Sequence, residues 1–361
     1  MTSEKKTAEY SVEKELLRWG NFFTAWTKPE PEVNQTPREA IWRKNKATVW
    51  YYKAPVKKYD VPLFLVYSLV NQPFILDLAE GNSMIEAYIQ NGFDVYLLDC
   101  GKPGYEDKEM TADDFITEYI QRGVQRALRH SGAEDITVVG YCLGGTIAAM
   151  YAAIAEEPIR NLVLTVSPID FKTVPFFDQW ANVLRRGEVS FDELFDAIGL
   201  LPARSIKAGM RMVTNPIYYS PYLSLLNKAY SEEYIQKWKR INKWTNGHIP
   251  FTAACMKQLM NDLGKYNKLA DGGLIIAGKK AELSNITANL LVVSTDLDRL
   301  VLKDQNIRVA DLVSSEDKTF TVVNGGHTTL ATNGELPSFL ADWLPERSKP
   351  LENGHAAGDT E

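Results

Sequence analysis

The chain has 361 residues, 40 Lys+Arg against 46 Asp+Glu for a formal net charge of −6, and is 45% hydrophobic and 24% charged. This is ordinary globular composition, long enough for about two domains or one large α/β domain with an insertion, and without the basic footprint of a nucleic-acid binder. The charged start, MTSEKKTAEYSVEKE, lacks the apolar stretch of a secretory signal, and nowhere does an apolar run reach the length of a membrane span.

A cytoplasmic protein is therefore expected. Its three cysteines, Cys100, Cys142 and Cys255, are odd in number and widely spaced. They fit neither a disulfide framework nor a zinc site and read as reduced thiols, with no metal and no cofactor expected.

Near the N-terminus Val12, Leu16, Trp19, Phe23 and Trp26 recur at alternating four- and three-residue steps, predicting an amphipathic helix that Pro29 and Pro31 terminate. The spacing predicts a helical segment over 1–50. From Val61 onward, short apolar runs alternate with helical patterns: Val61 to Tyr67, Val95 to Leu98, Ile136 to Gly140, Leu162 to Val166, Leu290 to Ser294, and Phe320 to Val323. Continuous apolar runs of this length predict parallel strands buried on both faces. Between two of them Asp113 opens a helix whose face carries Phe115, Ile116, Tyr119, Ile120, Val124 and Leu128, and Gly132 closes it. The alternation predicts a doubly wound, mostly parallel α/β sheet with its site beyond the carboxyl ends of the strands.

The rhythm breaks over 170–283, which reads as an inserted helical cap. The core is then expected over 51–169 and 284–345, and the polar stretch 346–361 is expected to be disordered. The cap is rich in Met and aromatics, including Phe176, Phe177, Trp180, Tyr218, Tyr219, Tyr222, Trp238 and Trp244. Helical spacing alone makes most of them core, leaving a minority to line an acyl tunnel.

The run Ile136-Thr137-Val138-Val139 leads into Gly140-Tyr141-Cys142-Leu143-Gly144-Gly145, and an Ala-rich helical stretch follows. Strand, tight turn and helix around Gly-x-Cys-x-Gly is the pattern of a nucleophile elbow, in which small residues two before and two after the nucleophile let the backbones pass. The helix N-terminus would favour a thiolate on Cys142 and offer the Leu143 N–H to an oxyanion. Two partners follow in hydrolase order. Asp296 and Asp298 both lie in the turn after Leu290 to Ser294, and His327 follows Phe320 to Val323. The other histidines fall in a helix end (His130), a cap turn (His248) and the tail (His355). Position alone does not separate the two aspartates. Val70, after the first strand, is the expected second oxyanion donor.

The constellation resembles the catalytic subunit of polyhydroxyalkanoate synthase, classes III and IV, within the α/β-hydrolase superfamily. The resemblance runs through Glu30-Pro31-Glu32-Val33, Thr36-Pro37-Arg38-Glu39-Ala40-Ile41-Trp42, Val66-Tyr67-Ser68-Leu69-Val70-Asn71-Gln72-Pro73, Gly92-Phe93-Asp94-Val95, the Gly-x-Cys-x-Gly-Gly elbow, Ser167-Pro168-Ile169-Asp170-Phe171, Gly326-His327 and Asp342-Trp343-Leu344. It implies an α/β-hydrolase fold, Cys142 as acylated nucleophile, His327 as general base and Asp298 as the orienting acid. The family's Asp-His reads Asp298-Arg299 here, and its Asp-Trp-Gly reads Asp99-Cys100-Gly101.

The implied activity is transfer of hydroxyacyl groups from hydroxyacyl-CoA to a growing polyester. The resemblance further implies a second, smaller synthase subunit, a homodimer or hetero-oligomer, and the surface of cytoplasmic polymer granules. Rival readings are an intracellular polyester depolymerase or Cys-dependent thioesterase of the same fold, in which water takes the second step, and a non-catalytic granule-surface protein. Two further expectations attach to this reading: the Val12/Trp19/Trp26 face docks the partner, and Cys100 forms an inhibitory disulfide with Cys142.

Overall fold

Apolar residues follow one another without alternation in Leu63-Phe64-Leu65-Val66 and Leu290-Leu291-Val292-Val293, so these segments must be covered on both sides. The computed structural model, which describes residues 11–27, 29–172, 178–214 and 220–351, shows how. Twelve strands occur among the described residues: β1 (Glu39–Lys44), β2 (Ala47–Tyr52), β3 (Leu63–Val66), β4 (Val95–Asp99), β5 (Ile136–Tyr141), β6 (Ile159–Thr165), β7 (Leu200–Leu201), β8 (Phe251–Thr252), β9 (Ile275–Ile276), β10 (Lys279–Lys280), β11 (Asn289–Thr295) and β12 (Lys318–Val323).

Eight of them form one sheet in the order β1-β2-β4-β3-β5-β6-β11-β12. Every neighbouring pair from β4 to β12 is parallel. Successive side chains enter opposite cores. Phe64, Val66, Val138, Leu162, Leu164 and Val292 face the helices Arg122–Ser131 and Leu143–Ala152. Leu63, Leu65, Val139, Val163 and Val293 face the helices Met84–Gln90 and Ser338–Glu346.

All six expected strands are present. The helix after β4 begins one residue earlier than expected, because Thr111 caps it reciprocally with Asp114: Asp114 N–H donates to the Thr111 hydroxyl, and Thr111 N–H donates to the Asp114 carboxylate. It passes through a π-helical stretch, Phe115–Gln121, and ends at Gly132 with φ 70°.

Two expectations are corrected. Residues 1–50 are not wholly helical, because β1 and β2 form an antiparallel hairpin that extends the sheet beyond β4. Asn45, at φ 51°, turns the hairpin in the left-handed conformation that asparagine tolerates, and Thr48-Val49-Trp50-Tyr51-Tyr52 supplies the branched and aromatic residues a pleated surface favours. The segment after 345 is ordered as far as Leu351. Arg347 O accepts from Arg160 Nε (2.9 Å) and Asn161 Nδ2 (3.1 Å), Ser348 is fully buried, and Asp60 N–H donates to Lys349 O (3.0 Å). The tail is thus stitched under the amino ends of the strands. The remainder, 352–361 with His355, lies outside the described residues.

Between β6 and β11 the described chain is mainly helical, including Ala203–Thr214, Ser220–Lys228 and Glu232–Asn246. The N-terminal helix, Val12–Thr24, docks on this region. Ala25 is buried with Leu225, Ala229, Ile235 and Trp238, and Trp26 stacks on Tyr222 (5.9 Å) and meets Trp238 edge-on (5.2 Å). Trp26 is therefore partly committed inside the chain, whereas Val12, Leu16, Trp19 and Phe23 stay exposed. Phe176, Phe177, Tyr218 and Tyr219 lie outside the described residues, as does the Trp180 side chain. None of the described helices is long and apolar enough to cross a membrane.

Candidate active site

At the carboxyl end of β5 the chain turns directly into the helix Leu143–Ala152, and Cys142 occupies the turn with φ 53° and ψ −131°. A side-chain-bearing residue is strained there. The elbow persists because the backbones around it approach too closely for anything but glycine. A Cβ on Gly144 would lie 2.5 Å from Val66 O, and one on Gly145 would lie 1.8 Å from Ser167 Oγ. Cys142 N–H donates to Thr165 O (3.0 Å), which locks the turn to β6. One residue further along, Val166 is also held at a positive φ of 44°, with its N–H donating to Val293 O (2.8 Å).

The carboxyl ends of β11 and β12 bring up the partners. His327 Nδ1 and Asp298 Oδ2 are 2.7 Å apart, with the Asp298 side chain wholly buried and that of His327 19% exposed. The other Asp298 oxygen accepts from the N–H groups of Leu300 (2.8 Å) and Val301 (3.0 Å), so the carboxylate is fixed before it meets the ring. Asp296 is turned elsewhere: its oxygens accept from Gly325 N–H (2.8 Å) and Asn324 Nδ2 (3.2 Å). It braces the loop that delivers His327, and Asp298 is the acid that reaches the imidazole. Arg299 is exposed beside it.

Cys142 lies near enough to His327 for its charge to act on the ring, so sequence order Cys, Asp, His becomes spatial order Cys–His–Asp. Burial, the largest single influence on the ring, disfavours its charged form. The influence of Cys142, its charge foremost, the hydrogen bond that the ring donates to Asp298 and the charge of Asp298 together outweigh it and raise the His327 pKa to about 10. The arrangement suits nucleophilic attack on an acyl carbon.

Leu143 is the first residue of the elbow helix, where the N–H has no intrahelical acceptor. Val70 lies in the loop after β3, against which Gly144 packs; its N–H makes only a long contact with Ser68 Oγ (3.5 Å), and its carbonyl accepts from Ile249 N–H (3.3 Å). The sequence reading missed Tyr67. Its phenol is buried near Cys142, and burial first and the cysteine second push its pKa well above the ordinary value. Its place at the end of the strand that abuts the elbow was the available signal.

Cys100 does not face Cys142. The registers Leu98↔Val66 and Val66↔Gly140 put the two cysteines at equivalent levels two strands apart, about 10 Å at the usual strand spacing. A disulfide spans less than about 7 Å between Cα atoms. Cys100 packs instead with the core on the Tyr119 side of the sheet, and burial drives its pKa upward. The expected inhibitory disulfide is thus overturned by register. All three thiols are free.

Residues 62–333 match the family model of the alpha/beta hydrolase fold. The fold is also that of a candidate lipase (lip1) from Acinetobacter baumannii AYE, with TM-score 0.50 and 13% identity over 94% of this chain and 97% of that one. The protein is an α/β-hydrolase-fold protein whose elbow carries cysteine. Among curated relatives, it is 32% identical over 336 residues to the poly(3-hydroxyalkanoate) polymerase subunit PhaC of Haloferax mediterranei, covering 90% of this chain and 67% of that one. The PhaC subunit of Allochromatium vinosum is 28% identical over 325 residues, covering 88% and 90%. The chain belongs to the poly(3-hydroxyalkanoate) polymerase PhaC family.

Proposed function

We propose that this chain is the catalytic subunit of a poly(3-hydroxyalkanoate) polymerase, with Cys142 as nucleophile, His327 as the proton carrier and Asp298 as the acid that orients it. The observation that carries the assignment of roles is a single geometry: Cys142, strained at the elbow, beside the imidazole whose Nδ1 Asp298 holds at 2.7 Å.

In the first half-reaction the Cys142 thiolate attacks the thioester carbonyl of a hydroxyacyl-CoA. The oxyanion is held by the N–H groups of Leu143 and Val70, and CoA leaves as a thiol with the proton that His327 held. One thioester replaces another, so the equilibrium cost is small. In the second, the hydroxyl of another hydroxyacyl unit or of the chain end gives its proton to His327 and attacks the acyl carbon. An ester forms and the Cys142 sulfur is released. The cycle uses acyl-CoA as substrate and calls for no separate cofactor.

The partner is proposed to be a second, smaller subunit, seated on the exposed Val12, Leu16, Trp19 and Phe23 face of the N-terminal helix, at the surface of cytoplasmic polyester granules. Trp26, half-committed to Tyr222 and Trp238, is a weaker probe of that contact than Trp19 and Phe23. Trp19→Ser/Phe23→Ser is expected to abolish co-elution with that subunit, and an undiminished complex in size-exclusion chromatography contradicts the docking.

The activity is tested by incubating the chain, with and without its partner subunit, with 3-hydroxybutyryl-CoA and measuring CoA release and product size together. Polymer formation that disappears in Cys142→Ala supports the proposal. Free hydroxy acid as sole product, with the partner present, makes the chain a hydrolase. Unchanged granule binding without CoA release makes it a non-catalytic surface protein.

A further inference from the structure

β3 releases the chain at Val66, so Val70 lies beyond the sheet and its position is set by what the loop 67–72 meets. It meets the end of the cap helix Glu232–Asn246 and the segment that follows. Asn71 is buried, 4% exposed. Its Oδ1 accepts from Gln72 N–H (2.8 Å), and its Nδ2 donates to Trp244 O (3.1 Å). Both partners are backbone groups, one a donor and one an acceptor, so the amide has a single orientation. The same two segments meet again along the loop. Trp244 Nε1 donates to Gln72 O (3.1 Å), Gln72 Nε2 to Gly247 O (3.0 Å), and Ile249 N–H to Val70 O (3.3 Å).

Four hydrogen bonds thus join Val70, Asn71 and Gln72 to 244–249, and one of them is on Val70 itself. The Val70 N–H makes only its 3.5 Å contact with Ser68 Oγ among the described residues, longer than an ordinary N–H···O bond. A residue bonded through its carbonyl, with its N–H spare, is held without using the donor that an oxyanion needs. The clamp has support of its own. Trp244 packs against the buried cluster that holds Leu65 and Tyr67. Further up the same helix, Lys239 Nζ donates to Pro29 O (2.7 Å), Arg240 Nε to Glu32 O (3.2 Å) and Lys243 Nζ to Pro31 O (3.4 Å). The helix is therefore seated on the strap after the N-terminal helix, as well as on the loop at its end. A group that must stay within about 0.5 Å of its working position needs such a supporting layer.

We propose that Asn71 and Trp244 are positioning residues of the oxyanion hole: they hold the loop 67–72 against the cap and so fix the Val70 N–H for the acyl oxygen at Cys142. The inference rests on the assignment of Val70 as second oxyanion donor and adds what holds it in place. That donor acts on charge that develops in the tetrahedral intermediates of both half-reactions. Loosening the clamp therefore lowers kcat and leaves KM alone.

The test follows two reactions of Cys142 in the full chain, in Asn71→Ala and in Trp244→Phe. CoA release from 3-hydroxybutyryl-CoA passes through an oxyanion; alkylation by iodoacetamide, in which the sulfur displaces iodide, does not. Asn71→Ala is expected to lower kcat for CoA release about tenfold or more, below the roughly 10²–10³-fold that outright loss of an oxyanion donor costs. KM and the alkylation rate of the Cys142 peptide are expected to stay within about twofold of the parent. Trp244→Phe removes one of the four bonds and is expected to lower kcat by a smaller factor. Should Asn71→Ala fold poorly, Asn71→Asp keeps the acceptor for Gln72 N–H but sets an oxygen against Trp244 O, and the same split is expected. Equal losses in CoA release and alkylation, or an unchanged kcat, overturn the proposal. Deuterium uptake tells apart the two ways in which kcat can stay unchanged. Faster uptake by 67–72 in Asn71→Ala means that Val70 is not the donor, whereas unchanged uptake means that the clamp does not hold the loop. Alkylation of a parent that releases no CoA refutes the acyl-transfer reading and the proposal with it.

Discussion

Replacing Asp298 by Asn keeps the shape of the side chain and removes its charge. The Asp298 oxygen that accepts from Leu300 and Val301 N–H would be kept as the amide oxygen, because an amide nitrogen facing two donors is excluded. The NH₂ group is then left 2.7 Å from His327 Nδ1. A donor there forces Nδ1 to accept, so the ring carries its hydrogen on the nitrogen that faces Cys142 and cannot take the thiol proton. Raising the ring from 6.5 to about 10 corresponds to roughly 5 kcal/mol in favour of its protonated form. The Asp298 share, a charge-assisted hydrogen bond to a buried carboxylate, is about 2–3 kcal/mol, or about 30- to 150-fold in the population of the ion pair. The wrong tautomer adds to this, and a total loss of about 10³–10⁴-fold in the rate of CoA release is expected. Asp296→Asn keeps an oxygen for Gly325 N–H and is expected to cost only a few-fold. The assay is initial CoA release from 3-hydroxybutyryl-CoA in quenched samples. Retention of more than a tenth of the parent rate by Asp298→Asn, or an equal loss in Asp296→Asn, would refute the reasoning.

Other consequences concern the elbow, the thiols and pH. Gly145→Ala drives a methyl into Ser167 Oγ and is expected to cost more than about 2 kcal/mol of stability; urea unfolding should show that adding Ser167→Gly recovers at least half of it, and no recovery contradicts the steric account. Because Cys100 lies two strands from Cys142, oxidant should inactivate Cys100→Ala as fast as the parent, and peptide mapping should find no Cys100–Cys142 linkage. The His327 pKa is raised on folding, so its proton contributes stability that is fully present below about pH 6.5 and lost as pH rises through about 10. Cys142→Ser removes the charge that is the largest favourable influence on the ring, and NMR titration should place its His327 pKa well below the parent's.

What the sequence showed and what it concealed divide along physical lines. The parallel strands were legible because strands buried on both faces must be apolar throughout, and the elbow was legible because its close backbone approaches demand glycine at fixed offsets from Cys142. The hairpin over 39–52 was obscured by the amphipathic spacing of Val12 to Trp26 just before it, although Asn45 and the Thr48 to Tyr52 run carried the signal. The order of residues 346–351 was not legible. Those residues are polar, and what fixes them comes from distant positions: Asp317, whose carboxylate takes Arg347 Nε at 2.7 Å, and Arg160 and Asn161. Asp296 and Asp298 were inseparable for a similar reason. Two residues apart in one turn, they are told apart only by what their oxygens meet, and that depends on β12 and the loop after it.

The most direct test of the account is mass spectrometry of the peptide bearing Cys142 after brief incubation with 3-hydroxybutyryl-CoA and an acid quench. A hydroxybutyryl or oligomeric hydroxybutyryl mass on Cys142, absent from the Cys100 and Cys255 peptides and matched by released CoA, is the predicted result. CoA release with Cys142 unmodified at every time point, and undiminished in Cys142→Ala, would contradict it.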